Sequence, residues 1–162
     1  MTNEIERPLA GSACVTGVTV MPGIRLFHDA VEHPPIFAGQ TGDALRFETG
    51  PTDGTYLSFV ADLTPEIAAE IRAGVFLVID LDASAEPAVP AHVRAHFTNG
   101  EGSEVLNDII VVKEGVRAVR FNLDGLRIPL ELAMTVWVDV IFVDPAETVL
   151  EFRNLTLSIE EQ

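Results

Sequence analysis

Short apolar runs, separated by glycine and proline, recur along the whole chain and predict a protein made of β-strands. Runs with this spacing, bounded by turn residues, are typical of all-β sandwiches and barrels. We therefore predict an all-β fold, an antiparallel β-sandwich of about nine strands. The candidate strands are Cys14–Met21, Ile24–Asp29, Ala44–Glu48, Tyr56–Ala61, Val75–Asp82, Ala91–Thr98, Val105–Lys113, Val116–Asn122, Leu132–Val143 and Thr148–Ile159.

The residues between the apolar runs predict turns and loops. Asn99-Gly100 and Glu114-Gly115 each separate two apolar runs and predict tight hairpins. Asp144-Pro145 ends a long apolar run and predicts a return of the chain. Together these turns predict that the second half of the chain is a meander of antiparallel neighbours. Residues 30–43 and 83–90 are predicted to be loops.

One short helix is predicted from Pro65 to Arg72. Thr64 is a good N-cap and Pro65 suits the first helical position. Gly74 supplies the stop that follows a helix C-terminus. A helix of this length has no room to form a second layer, so we expect it to cover one end or edge of the sandwich.

The length and the charge of the chain narrow its domain count and its partners. A chain of 162 residues suits one domain; we assign residues 14–159 to the sandwich and 1–13 to an N-terminal arm. Its 25 acidic and 10 basic residues give a net charge of −15. Such a surface repels nucleic acid and anionic membranes. Cations, neutral ligands and basic partner proteins stay open.

The sequence predicts neither a classical signal peptide nor a membrane-spanning helix. Met1 to Pro8 is polar and lacks the basic and apolar regions of a classical signal peptide. Apolar stretches shorter than about 18 residues predict no membrane insertion. We expect synthesis in the cytoplasm, with release as part of a particle left open. Cys14 is the only cysteine, which excludes an intramolecular disulfide, and its apolar surroundings predict a packing role.

The segment His92 to Phe97 alternates between polar and apolar residues. Its polar face carries His92, Arg94 and His96. Two histidines two residues apart on a strand suit a metal site, but the cationic Arg94 between them disfavours one. A polar ligand site, a subunit contact and a solvated face are the alternatives.

The only tryptophan lies on the less apolar face of its predicted strand. In Leu132–Val143 the even-numbered positions are apolar and predict core, whereas Trp137 and Asp139 share the opposite face. An aromatic ring beside a carboxylate suits saccharides, since sugar C–H groups stack on the ring and hydroxyls donate to the acid. Packing of Trp137 under a loop or in an interface is the alternative.

The sequence contains no motif that predicts catalysis. It has no nucleophile elbow, no phosphate-binding glycine loop and no zinc-protease helix. Asp62, Asp80, Asp82 and Asp144 lie near predicted strand ends, where carboxylates with carbonyl oxygens suit structural Ca²⁺. The same acids suit a glycosidase pair or a solvated acidic surface. We predict no catalytic residue and no cofactor, with structural Ca²⁺ as the alternative.

The last strand resembles the closing strand of galactose-binding-like and carbohydrate-binding-module jelly rolls. Val149 to Ile159 begins with an apolar run, places Asn154 at the polar position and then alternates. Phe152 and Leu155 are out of phase by one residue, which predicts a β-bulge between them. The resemblance implies a jelly-roll sandwich that binds a ligand without catalysis. One tryptophan and one tyrosine are few for a flat polysaccharide platform, so a loop-formed or shallow site is expected.

These observations predict a non-catalytic recognition module that binds a saccharide or a similar polar ligand. The predicted ligand-binding residues are Trp137, Asp139, His92, Arg94 and His96. The alternative is a structural or receptor-binding component of a phage-like particle, because jelly rolls also build shells, spikes and fibres. In that case the valine-rich outer faces are contacts within a homo-oligomer or with a particle partner.

Overall fold

Two antiparallel sheets pack face to face in the computed structural model, which describes residue 5 and residues 7–162. Sheet A has the strand order β1-β4-β5-β12-β7-β10, and sheet B has the order β2-β3-β6-β11-β8-β9. The strands of sheet A are β1 Ser12–Ala13, β4 Ile36–Thr41, β5 Ala44–Glu48, β7 Val75–Glu86, β10 Val116–Asn122 and β12 Val149–Glu161. The strands of sheet B are β2 Val18–Met21, β3 Ile24–His28, β6 Tyr56–Asp62, β8 Val89–Asn99, β9 Gly102–Val112 and β11 Thr135–Val143.

The predicted all-β antiparallel sandwich is confirmed, but the described residues form twelve strands rather than about nine. Strand β4 lies inside the segment 30–43 that was predicted to be a loop. Much of the predicted loop 83–90 belongs to the ends of β7 and β8. These segments were predicted to be loops because Gly39, Pro87 and Pro90 indicated turns. In the structure Gly39 and Pro90 lie within paired strands, and Pro87 lies between β7 and β8.

The chain crosses between the sheets more often than the turns predicted. The hairpin at Asn99-Gly100 is confirmed, since it joins the paired strands β8 and β9. The hairpin at Glu114-Gly115 is wrong, because β9 belongs to sheet B and β10 to sheet A. Asp144-Pro145 likewise leads from β11 in sheet B to β12 in sheet A. The predicted meander is therefore replaced by a jelly-roll path that alternates between the two sheets.

A cluster of phenylalanine rings joins the two sheets. Phe59 of sheet B stacks on Phe152 of sheet A with ring centroids 4.2 Å apart and planes at 10°. Phe47 and Phe142 meet Phe59 edge to face, at 5.5 and 6.1 Å. Offset-stacked and edge-to-face aromatic pairs stabilise a core beyond the area that they bury. This cluster fixes the face of each sheet that points inward, and hence the face that points outward.

The helix α1 Pro65–Ala68 is one turn long, half the predicted span from Pro65 to Arg72. The predicted N-cap is confirmed, since the Thr64 hydroxyl accepts a hydrogen bond from the N–H of Ile67. From Glu70 onward the backbone bonds tighten to the i→i−3 type, and Ile71 turns into the core. Among the described residues, no helix is long and apolar enough to cross a membrane.

The predicted bulge in the last strand is confirmed. The pairing register of β12 with β7 shifts between Phe152 and Asn154, so Arg153 is the extra residue. Because of this shift, Phe152 and Leu155 both point into the core. The bulge lets the strand keep its apolar residues inside across an irregular position.

The N-terminal segment is only partly described. Residues 1–4 and 6 of the predicted arm lie outside the described residues. Its last residues, Ser12 and Ala13, pair with Phe37 and Ile36 at the edge of sheet A.

Candidate functional site

The structure places the two strands that carry the predicted site residues side by side. Strands β8 and β11 are antiparallel neighbours in the middle of sheet B. In their register His96 lies opposite Trp137, and Arg94 lies opposite Asp139. All four side chains are on the outer face of the sheet, since the alternate residues of both strands belong to the core. The sequence predicted each face correctly but not this adjacency.

Asp139 is the centre of a small polar network. Arg94 donates from Nε to Oδ1 at 2.9 Å and from Nη2 to Oδ2 at 2.7 Å. His96 lies with its Nε2 3.2 Å from Oδ2. The Asp139 side chain is 8% exposed, against 36% for that of Arg94. The hydrogen bonds to Asp139 raise the pKa of the Arg94 guanidinium above its usual value. The carboxylate therefore holds Arg94 in one geometry.

Trp137 is held by a stacking contact with His96. The two rings are parallel within 5°, and their centroids lie 4.6 Å apart. His96 thus covers one face of the indole while its Nε2 contacts Asp139. The stacking reduces the rotamer freedom of Trp137, so less entropy is lost when a ligand contacts the ring.

Arg94, Trp137 and Asp139 border a groove on the outer face of sheet B with a volume of about 620 Å³. Four neighbouring strands, β3, β6, β11 and β8, contribute to it. Aromatic rings, aliphatic side chains and four charged groups share its surface. The lining residues are Arg25, Phe27, Tyr56, Ser58, Val60, Asp62, Arg94, Trp137, Asp139 and Ile141.

Half of the groove comes from strands that the sequence did not link to a site. Phe27 of β3 lies opposite Ser58 of β6, and Asp62 of β6 lies opposite Trp137. The signal that could have found these residues is the alternation within the predicted strands Ile24–Asp29 and Tyr56–Ala61, which places Phe27 and Ser58 in the outward phase; Asp62 continues that phase. Without the strand order, that phase does not show that they meet Trp137.

A second arginine lies at the β3 side of the groove. The Nη2 of Arg25 is 3.6 Å from Oδ2 of Asp62, which is longer than a hydrogen bond. Its guanidinium lies over the ring of Phe27, 5.6 Å from the ring centroid. Both side chains of the ion pair are well exposed, Arg25 at 44% and Asp62 at 68%. The groove thus has an ordered arginine at one side and a loosely held one at the other.

Two predicted site residues, His96 and His92, are not among those that line the groove. His96 stacks on Trp137 beside it. His92 is the other. It lies two residues before Arg94 on the same face, opposite Ile141 of β11 and Ile109 of β9. Its Nδ1 is 3.3 Å from Oδ1 of Asn107. His92 therefore lies on the edge-strand side of the groove.

The predicted carboxylate positions are spread over the molecule. Asp80 and Asp82 face outward from sheet A, Asp62 lies in the groove on sheet B, and Asp144 lies in the connection from β11 to β12. In residue 5 and residues 7–162, no group of three or more metal-ligating side chains comes together.

The sequence identifies the family of the chain. Residues 6–161 match a family described as "Family of unknown function (DUF6478)", and the chain belongs to this family. A comparison with curated proteins finds no sequence match.

Solved structures share the fold at low sequence identity. The xyloglucanase domain of NopAA, a type three effector from Sinorhizobium fredii solved with cellobiose, matches with a TM-score of 0.56 and 8% identity, over 95% of this chain and 100% of that chain. A CBM4 structure matches with a TM-score of 0.52 and 12% identity, over 84% of this chain and 87% of that chain. The enzymatically active domain of tailspike protein 4 from bacteriophage CBA120 matches with a TM-score of 0.55 and 9% identity, over 85% of this chain and 19% of that chain.

These similarities concern the fold. The predicted likeness to carbohydrate-binding-module sandwiches is confirmed at that level. The chain spans about a fifth of the tailspike chain, so it corresponds to one part of a larger protein there.

Proposed function

We propose that this protein is a non-catalytic recognition module that binds a saccharide in the groove on the outer face of sheet B. The observation that carries the proposal is the ordered Trp137 ring beside the Arg94–Asp139 pair in an open groove. An indole offers an apolar surface to the C–H face of a sugar ring. Arg94, held by Asp139, offers fixed N–H donors to the sugar oxygens.

The shared fold supports a saccharide as the ligand class. The similar structures include a carbohydrate-binding module and a xyloglucanase domain in complex with cellobiose. Fold alone does not determine function, so the groove chemistry has to carry the assignment. The aromatic residues Phe27, Tyr56 and Trp137 in one groove are consistent with it.

The state of Asp139 favours binding over catalysis. A glycosidase needs one carboxyl group that protonates the leaving oxygen and a second that acts as base or nucleophile. Both oxygens of Asp139 already contact Arg94 or His96, and the side chain is buried. In our proposal Asp139 is thus a positioning residue, and Trp137 and Arg94 contact the ligand.

The test is a glycan array followed by titration calorimetry with Trp137→Ala. We expect the variant to lose about tenfold in affinity, because aromatic contacts contribute roughly 0.5–1.5 kcal/mol beyond the apolar area that they bury. Phe76→Ala is the control, since Phe76 is a half-buried aromatic residue on the outer face of sheet A. It should leave the affinity unchanged.

Two results would contradict the proposal. An array signal that Trp137→Ala leaves unchanged would remove the groove as the binding site. Release of reducing ends from a bound oligosaccharide, lost in an Asp62→Asn or Asp139→Asn variant, would make the protein an enzyme.

A protein contact through strand β9 is the second candidate function, and one observation favours it. Val105, Ile109 and Val111 point outward from this edge strand and are 50%, 56% and 51% exposed. Exposed apolar residues on an edge strand promote association with another chain. Light scattering tests this candidate: a stable oligomer that Ile109→Lys dissociates would favour it, and a monomer would contradict self-association.

A further inference from the structure

The groove contains more hydrogen-bond donors than its own carboxylates accept. A guanidinium carries five N–H groups. Arg94 uses its Nε and Nη2 for Asp139, and the rest of its donors belong to a side chain that is 36% exposed. Within the described part of the chain, Arg25 makes no side-chain hydrogen bond, and its ion pair with Asp62 is long. A ligand that enters the groove therefore meets available donors from two arginines.

The outer face of sheet B is also poor in acidic residues for so acidic a protein. In the outward phase of its six described strands, Asp62 and Asp139 are the only acidic residues, and each lies beside an arginine. The outer face of sheet A carries more acids in its strands, among them Asp80, Asp82 and Glu86. The acidic residues of the strands thus lie mostly on the side of the sandwich away from the groove.

Resting on the proposed saccharide binding, we infer that the groove selects saccharide chains that carry carboxylate groups, with Arg25 as the residue that binds the carboxylate. A sugar hydroxyl both donates and accepts hydrogen bonds, whereas a carboxylate only accepts them. A groove with surplus donors therefore complements a uronic acid better than a neutral sugar. The planar fork of a guanidinium also matches the two oxygens of a carboxylate.

Arg25 is placed to make this contact without a large rearrangement. Its stacking over Phe27 holds the guanidinium at the side of the groove. Its pair with Asp62 is solvent-exposed on both sides, and exposed pairs of this kind contribute little. A ligand carboxylate therefore has only a weak internal competitor to displace.

The overall negative charge does not prevent such a ligand from binding. At about 0.1 M salt, charges separated by more than about 10 Å are largely screened. The acids of sheet A lie on the opposite side of the sandwich, and packed sheets are themselves about 10 Å apart. The interaction energy at the groove is therefore set mainly by the nearby groups Arg25, Asp62, Arg94 and Asp139, with Asp29 beside Tyr56 at one end.

The experiment measures binding of uronate oligosaccharides and of their neutral methyl esters by titration calorimetry. The probes are oligomers of galacturonate, mannuronate, guluronate and glucuronate, together with neutral cello- and galacto-oligosaccharides. We expect at least one uronate to bind at least about tenfold more tightly than its methyl ester, because a charge-assisted bidentate contact is lost on esterification. This preference should shrink between about 0.05 M and about 0.5 M salt.

Three variants assign the preference to its residue. Arg25→Gln should abolish the preference for the uronate over its ester, and Asp62→Asn should strengthen uronate binding, because it removes the competing carboxylate. Arg46→Gln is the matched control: Arg46 lies on sheet A, is 40% exposed and also pairs with acids. It should leave uronate binding unchanged.

The possible results separate this inference from the proposed function. If neutral oligosaccharides bind in a Trp137-dependent manner and no uronate binds better than its ester, the inference is wrong and saccharide binding stands. If uronates bind equally well to Arg25→Gln, the role of Arg25 is wrong. If neither neutral nor acidic oligosaccharides bind, both the inference and the proposed function fail.

Discussion

Asp139 illustrates how a single residue acquires its role from its neighbours. Asp139 lies two residues after Trp137 on the same face of its strand, and from the sequence we predict that its carboxylate contacts sugar hydroxyls directly. In the folded chain the same carboxylate is buried and binds Arg94 through two hydrogen bonds. A buried charge must be compensated in this way, because an unpaired one is costly to desolvate. The donors of Arg94, rather than the oxygens of Asp139, therefore face the ligand in our proposal.

Asp53 is a second residue whose contacts the sequence did not indicate. Its carboxylate accepts hydrogen bonds from the backbone N–H groups of Val31, Glu32 and His33. The bonds from Glu32 and His33 lower the pKa of Asp53 to about 2. Asp53 thus ties the connection from β3 to β4 to the segment before β6, next to the groove strands.

This contact should make the stability of the protein depend on pH at the acid end. Since the pKa of Asp53 is lower in the folded chain than in the unfolded chain, ionised Asp53 stabilises the fold above about pH 4. That contribution is lost as the pH falls through about 2. Asn has the shape of the protonated acid, so we expect Asp53→Asn to lower the thermal unfolding midpoint near pH 6 and to match the wild type near pH 2.

Thermal melts at a series of pH values check this expectation. Asp43→Asn, which removes the same charge from the connection between β4 and β5, controls for the change in net charge. A midpoint difference for Asp53→Asn that is constant from pH 6 to pH 2 would contradict the prediction.

At the scale of elements, the bulge in β12 is the feature that sequence and structure agree on most closely. Strict alternation from Phe152 would turn Leu155 outward, and one extra residue at Arg153 restores it to the core. A one-residue change in register moves every later side chain of a strand to the other face. The position of the bulge therefore decides which face of β12 is buried.

Two single-residue deletions in β12 should have opposite consequences. Deletion of Arg153 removes the bulge but leaves Leu155 facing the core, so we expect a loss of about 1 kcal/mol from the partly exposed ion pairs of Arg153. Deletion of Leu155 instead turns Thr156 and Ser158 inward, and we expect a loss of about 3 kcal/mol or more. Chemical denaturation of both variants measures the free energy of unfolding.

The decisive quantity is the difference in the free energy of unfolding between the two deletion variants. Each removes one residue from the same strand, so each is the control for the other. Equal destabilisation would show that the register of β12 after the bulge is not set by its apolar phase.

At the scale of the whole molecule, the repeated crossing between sheets binds both halves of the chain into one core. Cys14 lies in this core near the start of the chain, and its carbonyl accepts a hydrogen bond from the buried His28 ring at 2.8 Å. Burial raises the pKa of the Cys14 thiol to about 12. The thiol is therefore protonated at neutral pH and unreactive in the folded chain.

Reaction of Cys14 with a thiol reagent should report unfolding of the sandwich. Near pH 8 we expect no labelling of the native protein within hours and complete labelling in denaturant. The absorbance of the thiolate that the reagent releases measures the labelling. Ser158→Cys adds an exposed thiol on the outer face of sheet A, and that thiol should react at once. Rapid labelling of Cys14 in the native protein would show that the N-terminal part opens independently of the core.

The local pattern of the chain was enough to predict the all-β class, the inward and outward faces of β8, β11 and β12, the N-cap at Thr64 and a bulge between Phe152 and Leu155. Each of these features depends on contacts between residues that are close in the chain. Three features arise only in the folded chain. They are the adjacency of Trp137 to His96, the pairing of Asp139 with Arg94, and the position of Arg25, Phe27 and Tyr56 in the same groove. The physical reason is that strand order and sheet crossings result from non-local packing of the two sheets, and a pattern within one strand specifies its face but not its neighbour.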